Sequence, residues 1–198
     1  MLRIVPIIFV TLLLSACSLT SLDRGERQMM TLPSLQTDLR DTQPLKNNRL
    51  VIDFPETEGR LDTYRIALVL PNGTSDYYAR KRWVDFLPVI VQNSLAETLQ
   101  NARIYRFVKT DAHGLGDDLI LKPTIRKFEA LYDMNAAAPP IAVIEMDFSL
   151  QDVATGRKLD GFSLLAEAPA TSNNAEAIHD AFKLAYKDIQ IQLLEKLD

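Results

Sequence analysis

Four groups of residues in this chain have side chains that could do chemistry. Cys17 is the only cysteine, so its thiol can be modified but cannot close a disulfide within the chain. His113 and His179 are the only histidines, and neither has metal-ligand spacing to another residue. Glu145 and Asp147 alternate along one strand face as paired catalytic carboxylates do, but the solvated face of an edge hairpin explains them more simply. The fourth group is the run from Tyr77 to Pro88, which combines aromatics, three consecutive basic residues and a proline at a helix entry. No P-loop, Gly-x-Ser-x-Gly elbow or dinucleotide fingerprint occurs. The chain is therefore expected not to be an enzyme.

The run from Tyr77 to Pro88 supports two readings. In a binding reading, Arg80, Lys81 and Arg82 face an acidic partner or a phosphate head group, with the aromatics, Tyr78 among them, as interface anchors. In a structural reading, Trp83 and Tyr78 are buried, Asp85 pairs with Arg82 to fix the helix entry, and Pro88 sits in the first turn. The structural reading is preferred for Trp83, Asp85 and Pro88. Arg80 and Lys81 remain open to either.

Cys17 gains meaning from what precedes it. Arg3 supplies a short positive region, and Ile4 to Leu14 form an apolar run of 11 residues. That length suits a secretory signal and is too short to span a bilayer as a helix. Leu14-Ser15-Ala16-Cys17 resembles the bacterial lipobox. The resemblance implies cleavage before Cys17, diacylglycerol on its thiol and an N-acyl chain on its amine, with no other cofactor. An ordinary signal peptide followed by a stray thiol, or a poorly formed membrane helix, is the plainer alternative. Ser18 follows the cysteine, where Asp favours inner-membrane retention in such lipoproteins, so sorting to the periplasmic face of the outer membrane is expected. Acyl chains stabilise membrane association by about 0.8 kcal/mol per buried CH₂, so several chains hold a protein without help from its surface.

Composition limits the rest. The 198 residues carry a net charge of −4, and loss of residues 1–16 removes Arg3 and no acid, leaving −5. A mildly acidic chain without a basic block gives no case for nucleic-acid binding. An apolar content of 47% and a charged content of 24% are those of a globular domain. Residues 17–48, rich in Ser, Thr, Asp, Gln and Asn, read as the acylated cysteine and a mostly flexible tether, with a short strand near Met29 to Leu32. Fully extended, such a tether reaches up to ~100 Å.

From residue 49 to 198 the pattern is that of one domain. Leu50 to Phe54 and Tyr64 to Leu70 read as strands, the second closed by Pro71-Asn72-Gly73. A helix begins near Leu87, with Ile90/Val91, Ser94/Leu95 and Thr98 on its inner face. Arg106 to Val108 is a short strand, and Asp118 to Asp133 is a long one whose change of parity between Ile125 and Phe128 predicts a bulge. Ile141 to Gln151 alternates, and Ala154-Thr155-Gly156 turns it into a partner from Arg157 to Ala168. Asn173, with Glu176 three residues on, starts a final amphipathic helix. The expectation is an α+β two-layer sandwich: a mostly antiparallel sheet with two amphipathic helices packed on one face.

Several segments in this order resemble the ABC-type transport auxiliary lipoproteins, the paraquat-inducible protein C group. They are Tyr78-Ala79, Arg82-Trp83-Val84-Asp85 and Leu87-Pro88, with Leu61-Asp62-Thr63, Asp118 to Leu121, Ile125 to Ala130 and Ala142 to Met146. The resemblance covers residues 49 to 197. It implies a non-enzymatic, lipid-anchored accessory component of an intermembrane lipid transport system. Its partners would be a mammalian-cell-entry (MCE) domain protein and an ABC permease and ATPase, and self-association is a further expectation. The Tyr-Tyr-x-Leu strand of that family is not found between Cys17 and Leu50, where Met29-Met30-Thr31-Leu32 stands in its place. A lipid carrier in its own right and an envelope-assembly lipoprotein unrelated to transport are the competing readings.

Overall fold

A computed structural model describes residues 28–36, 46–111, 118–135 and 138–198. Cys17 and His113 lie outside the described residues, as does part of the connection at Ala136 to Pro140. The spine is a 13-residue strand, Leu119–Leu131, seventh of the nine strands among the described residues and here β7.

Along one edge β7 pairs antiparallel over its whole length with β8 (Ile141–Asp152), which pairs antiparallel with β9 (Lys158–Pro169). Gly156 takes a positive φ of 66° in the turn between them, a conformation that suits glycine. The expected bulge is present as a register shift between Ile125 and Lys127. It moves Ile125 and then Phe128 onto the buried face despite their odd spacing.

The other edge of β7 carries three short parallel strands laid end to end. β2 (Lys46–Ile52) pairs with Leu119 to Leu121, β3 (Glu56–Thr57) with Thr124 and Ile125, and β4 (Arg65–Val69) with Glu129 to Leu131. Pro55 and Pro123 both fall in the gap between the β2 and β3 pairings, where no ladder needs the N–H that proline lacks. From these strands the sheet forks. β5 (Ser75–Trp83) adds antiparallel to β4 and β1 (Gln28–Met30) parallel to β5, while β6 (Tyr105–Lys109) adds parallel to β2.

This corrects the expected sheet: it is mixed, and five of its eight pairings are parallel. Hairpin loops and alternation report only strands joined by a tight turn. The partner of β2, β3 and β4 arrives after a helix and another strand, and nothing local in the sequence records its direction. β5 was not expected as a strand at all.

α1 (Leu87–Ala102) packs on β2 and β6, and α2 (Ala175–Leu197) on β8 and β9. One apolar cluster spans both, centred on Trp83, Phe128, Phe182 and Tyr186. Asn174, not Asn173, caps α2: its carboxamide oxygen accepts from the amides of Glu176 at 3.1 Å and Ala177 at 2.9 Å. Asn173 instead accepts from the Tyr132 hydroxyl at 2.9 Å. Among the described residues no helix is long and apolar enough to cross a membrane.

The segment after β1 belongs to the domain, although it lies in the stretch read as tether. Gln190 of α2 is fully buried, and its Nε2 donates to the Pro33 carbonyl at 3.0 Å and to Ser94 Oγ and Thr98 Oγ1 at 2.9 Å. Ser94 Oγ also donates to the Pro33 carbonyl at 2.7 Å, and the Leu35 amide donates to Thr98 Oγ1 at 3.1 Å. Asn101 Nδ2 holds the Leu35 carbonyl, and a ring nitrogen of His179 meets the Thr31 carbonyl. Polar side chains on two helices thus bind residues 31–35 as a strap.

Candidate functional site

The run from β5 into α1 separates its side chains between two environments. Trp83 ends β5 on the covered face, 1% exposed, with its ring edge-on to Phe128 at 5.6 Å and to Phe182 at 5.4 Å. Phe128 and Phe182 stack at 5.5 Å, and Tyr186 closes the cluster 6.0 Å from Phe128. The Trp83 Nε1 is buried and makes no hydrogen bond.

Backbone bonds fix the turn that follows. The Trp83 amide donates to the Tyr64 carbonyl at 2.7 Å, Val84 to Met30 at 2.9 Å, and Leu87 to Thr63 at 3.0 Å. Asp85 folds its carboxylate onto the amide of Phe86 at 2.7 Å. Phe86 is the N-cap, with no side-chain acceptor, and buried Pro88 stands in the first turn, where the N–H it lacks would be unpaired in any helix. Leu87 and Pro88 face inward.

The outward side of the same turn carries a contiguous amphipathic patch. Tyr64 and Phe86 meet edge to face at 5.8 Å, and the Arg82 guanidinium lies over the Tyr64 ring at 5.6 Å. Arg82 Nη2 also reaches the Met29 sulfur at 3.8 Å. Met29, Val84, Phe86 and Tyr64 are 57%, 48%, 43% and 41% exposed, so the patch is apolar, aromatic and topped by one cation. Arg82 therefore engages Tyr64 and Met29, where a pairing with Asp85 was expected.

Other residues of the run have different tasks. Tyr78 is half-buried; its hydroxyl shares a 2.9 Å hydrogen bond with Tyr132, and burial first, then that bond, raises its pKa above the ordinary tyrosine value. Tyr77 donates to the Arg60 carbonyl at 2.9 Å and carries the Arg65 guanidinium 4.0 Å above its ring. Lys81 is half-buried beside Gln28 in register, and Arg80 lies within β5.

A second candidate is the uncovered face of β7, β8 and β9. An open groove of about 440 Å³ there is lined by Lys122, Arg126, Asp147, Ser149, Lys158 and Ser163, among others. Asp147 accepts from Ser163 Oγ and pairs with Arg126 at 2.6 Å; these contacts, the serine bond first, hold its carboxyl below the usual range. Glu145 pairs with Lys127 at 2.7 Å. Each carboxylate is thus engaged by a cation on the neighbouring strand, the ordinary pairing of a solvated sheet face.

No family model matches the chain, and no curated protein does. Solved structures do. Protein XCC0632 from Xanthomonas campestris, of the DUF330 family model, superposes with a TM-score of 0.68 at 18% identity, over 85% of this chain and 90% of that one. An uncharacterized protein matches with a TM-score of 0.64 at 14% identity, over 86% of this chain and 100% of its own. What they share with this chain is the fold. Lipoprotein GNA1162 from Neisseria meningitidis lies further off, with a TM-score of 0.41 at 14% identity over 75% and 99% of the two chains.

Sequence reasoning singled out Arg82 and the aromatics of the run from Tyr77 to Pro88 but missed that Met29 and Tyr64 join Arg82 and Phe86 on the outward side. Met29 and Tyr64 come from separate segments, and strand pairing with the backbone bonds of the turn brings them to the run. A faint signal exists: Val84 and Phe86 are apolar and alternate with Trp83 and Leu87 in phase, too many large apolar residues for one buried side.

Proposed function

We propose that this protein is a lipid-anchored, non-enzymatic accessory component of an MCE/ABC-type intermembrane lipid transport system, held on the periplasmic face of the outer membrane. The observation that carries the reading is how Arg82-Trp83-Val84-Asp85 and Leu87-Pro88 are used. The run buries Trp83, Leu87 and Pro88 in the core and presents Arg82, Val84 and Phe86 outward, so the segments that resemble the family account for both the fold and an exposed surface, which supports the reading. A lipid carrier is the weaker reading, because where α2 meets the sheet the aromatic rings of Trp83, Phe128, Phe182 and Tyr186 stand 5.4–6.0 Å apart, in direct contact.

In-cell crosslinking of the tagged lipoprotein, followed by mass spectrometry, tests the proposal. An MCE-domain protein or its permease among the crosslinked species supports it; unrelated envelope proteins alone sink the transport assignment and leave the fold. The anchor has its own test. Cys17→Ser is expected to accumulate as an uncleaved or mislocalised precursor, and cleaved material in the outer-membrane fraction would refute acylation at Cys17.

A further inference from the structure

Where the domain starts limits how far it can stand from a lipid anchor. Residues 28–36 are bound to the fold by β1 pairing and by the contacts of Gln190, Ser94, Thr98, Asn101 and His179. Only residues 18–27 separate Cys17 from β1. Even fully extended, that leash spans no more than about 40 Å, less than half of what residues 17–48 would allow. Its domain end is Gln28, and the next residue, Met29, is itself part of the exposed patch.

We propose that the patch of Met29, Tyr64, Arg82, Val84 and Phe86 rests on the lipid surface to which the chain is anchored, so that the domain has one preferred orientation. The proposal depends on the acyl-anchor reading of Cys17 and adds to it a contact that chain length alone does not require. The chemistry suits the interface between head groups and acyl chains. Aromatic rings favour head-group depth, methionine and valine can enter the acyl boundary, and an arginine laid across them can turn its guanidinium to phosphate. Charge does not bring it there, since the chain from Cys17 onward is acidic, with a net charge of −5 once Arg3 is lost from the −4 of the full sequence. Proximity does: a leash this short raises the local concentration of membrane at the patch, so a contact too weak to hold the free domain becomes occupied.

The experiment uses the full acylated chain reconstituted in vesicles of phosphatidylethanolamine and phosphatidylglycerol carrying a brominated lipid. An environment-sensitive NBD label is placed at Phe86→Cys or Val84→Cys, and, as a control, at Phe107→Cys. Phe107 is exposed on β6, at the opposite end of the strand order from β1. The expected result is a blue-shifted emission and severalfold stronger quenching at positions 84 and 86 than at 107. Equal quenching at all three positions overturns the proposal, as does a label at 86 that stays silent on vesicles but becomes protected when a protein partner is added.

Failure of the anchor reads differently. The chain would then not float with the vesicles, and Cys17 would take the label. The same labels on a Cys17→Ser chain, held by an N-terminal hexahistidine tag on nickel-chelating lipid, then decide the contact alone. Preferential quenching at 84 and 86 upholds it there, and uniform quenching rejects it.

Discussion

Trp83 and Phe86 stand three residues apart on one turn and meet opposite surroundings. Trp83 is 1% exposed and touches aromatic rings on β7 and α2; Phe86 is 43% exposed and touches Tyr64 at the rim. Both make edge-to-face contacts at similar distances, so the geometry of the pairs does not distinguish them. Burial does. An inward aromatic contributes its transfer free energy and its packing to stability, whereas an outward one leaves much of its apolar surface free for something else. The turn thus shows where this fold invests in stability and where it keeps surface for contact.

The comparison breaks most visibly at Trp83. Trp83→Ala removes the ring that bridges Phe128 and Phe182, and such truncations cost about 3–5 kcal/mol, a large share of a typical domain's stability. Phe86→Ala forfeits part of one exposed aromatic contact and is expected to cost at most about 1 kcal/mol. Urea unfolding of both variants measures the pair. Comparable losses would mean that the patch is structural after all. Trp83→Phe sharpens the test: Nε1 has no hydrogen-bond partner, so its removal sacrifices volume but no bond.

The strap offers an intermediate case. Gln190→Leu removes the two N–H donors that serve Pro33, Ser94 and Thr98 and leaves the Pro33 carbonyl without its Gln190 donor, at a cost of about 1–2 kcal/mol. The value lies toward the low end because Gln190 Oε1 is already buried without a partner in the native protein. Amide exchange at Leu35 and its neighbours should accelerate well beyond the loss of global stability. Unchanged exchange there would show that β1 pairing alone holds the strap, and the short leash would then rest on β1.

Much of the sheet and both helices were legible because their signals are local. Pro88 marked the first turn of α1, and the parity change after Ile125 marked the bulge. Alternation through Ile144, Met146 and Phe148 gave the covered face of β8. What was not legible depends on partners distant in sequence. β5 shows no clean alternation, because its pairing with β4 shifts register between Arg65 and Ala67 and its upper half also carries β1. The strap, Thr31 to Leu35, is too short to show a period and reads as linker, because what holds it is its backbone: the carbonyls of Thr31, Pro33 and Leu35 and the Leu35 amide meet polar side chains of the two helices. One-residue errors arise where two candidates compete: Asn173 and Asn174 can both cap a helix, and the choice falls to Tyr132, which occupies Asn173.

The uncovered sheet face gives the smallest effect and the one with a pH signature. Asp147 sits between Ser163 and Arg126, and both contacts favour its charged form, the serine hydrogen bond most. A carboxyl whose folded pKa is depressed contributes stability that is fully present above its unfolded value, near 3.9. That contribution is lost as pH falls through the lower folded value. Asp147→Asn should therefore flatten the loss of stability below about pH 4 while costing no more than about 1 kcal/mol at neutral pH, as suits a partly exposed ion pair. Thermal unfolding from pH 3 to 7 measures both limbs. An acid limb identical to the native protein's would assign acid sensitivity to other carboxylates. A loss at neutral pH as large as that of Trp83→Ala would mean that this face, too, is structural, and the contrast between the two sides of the sheet would fail.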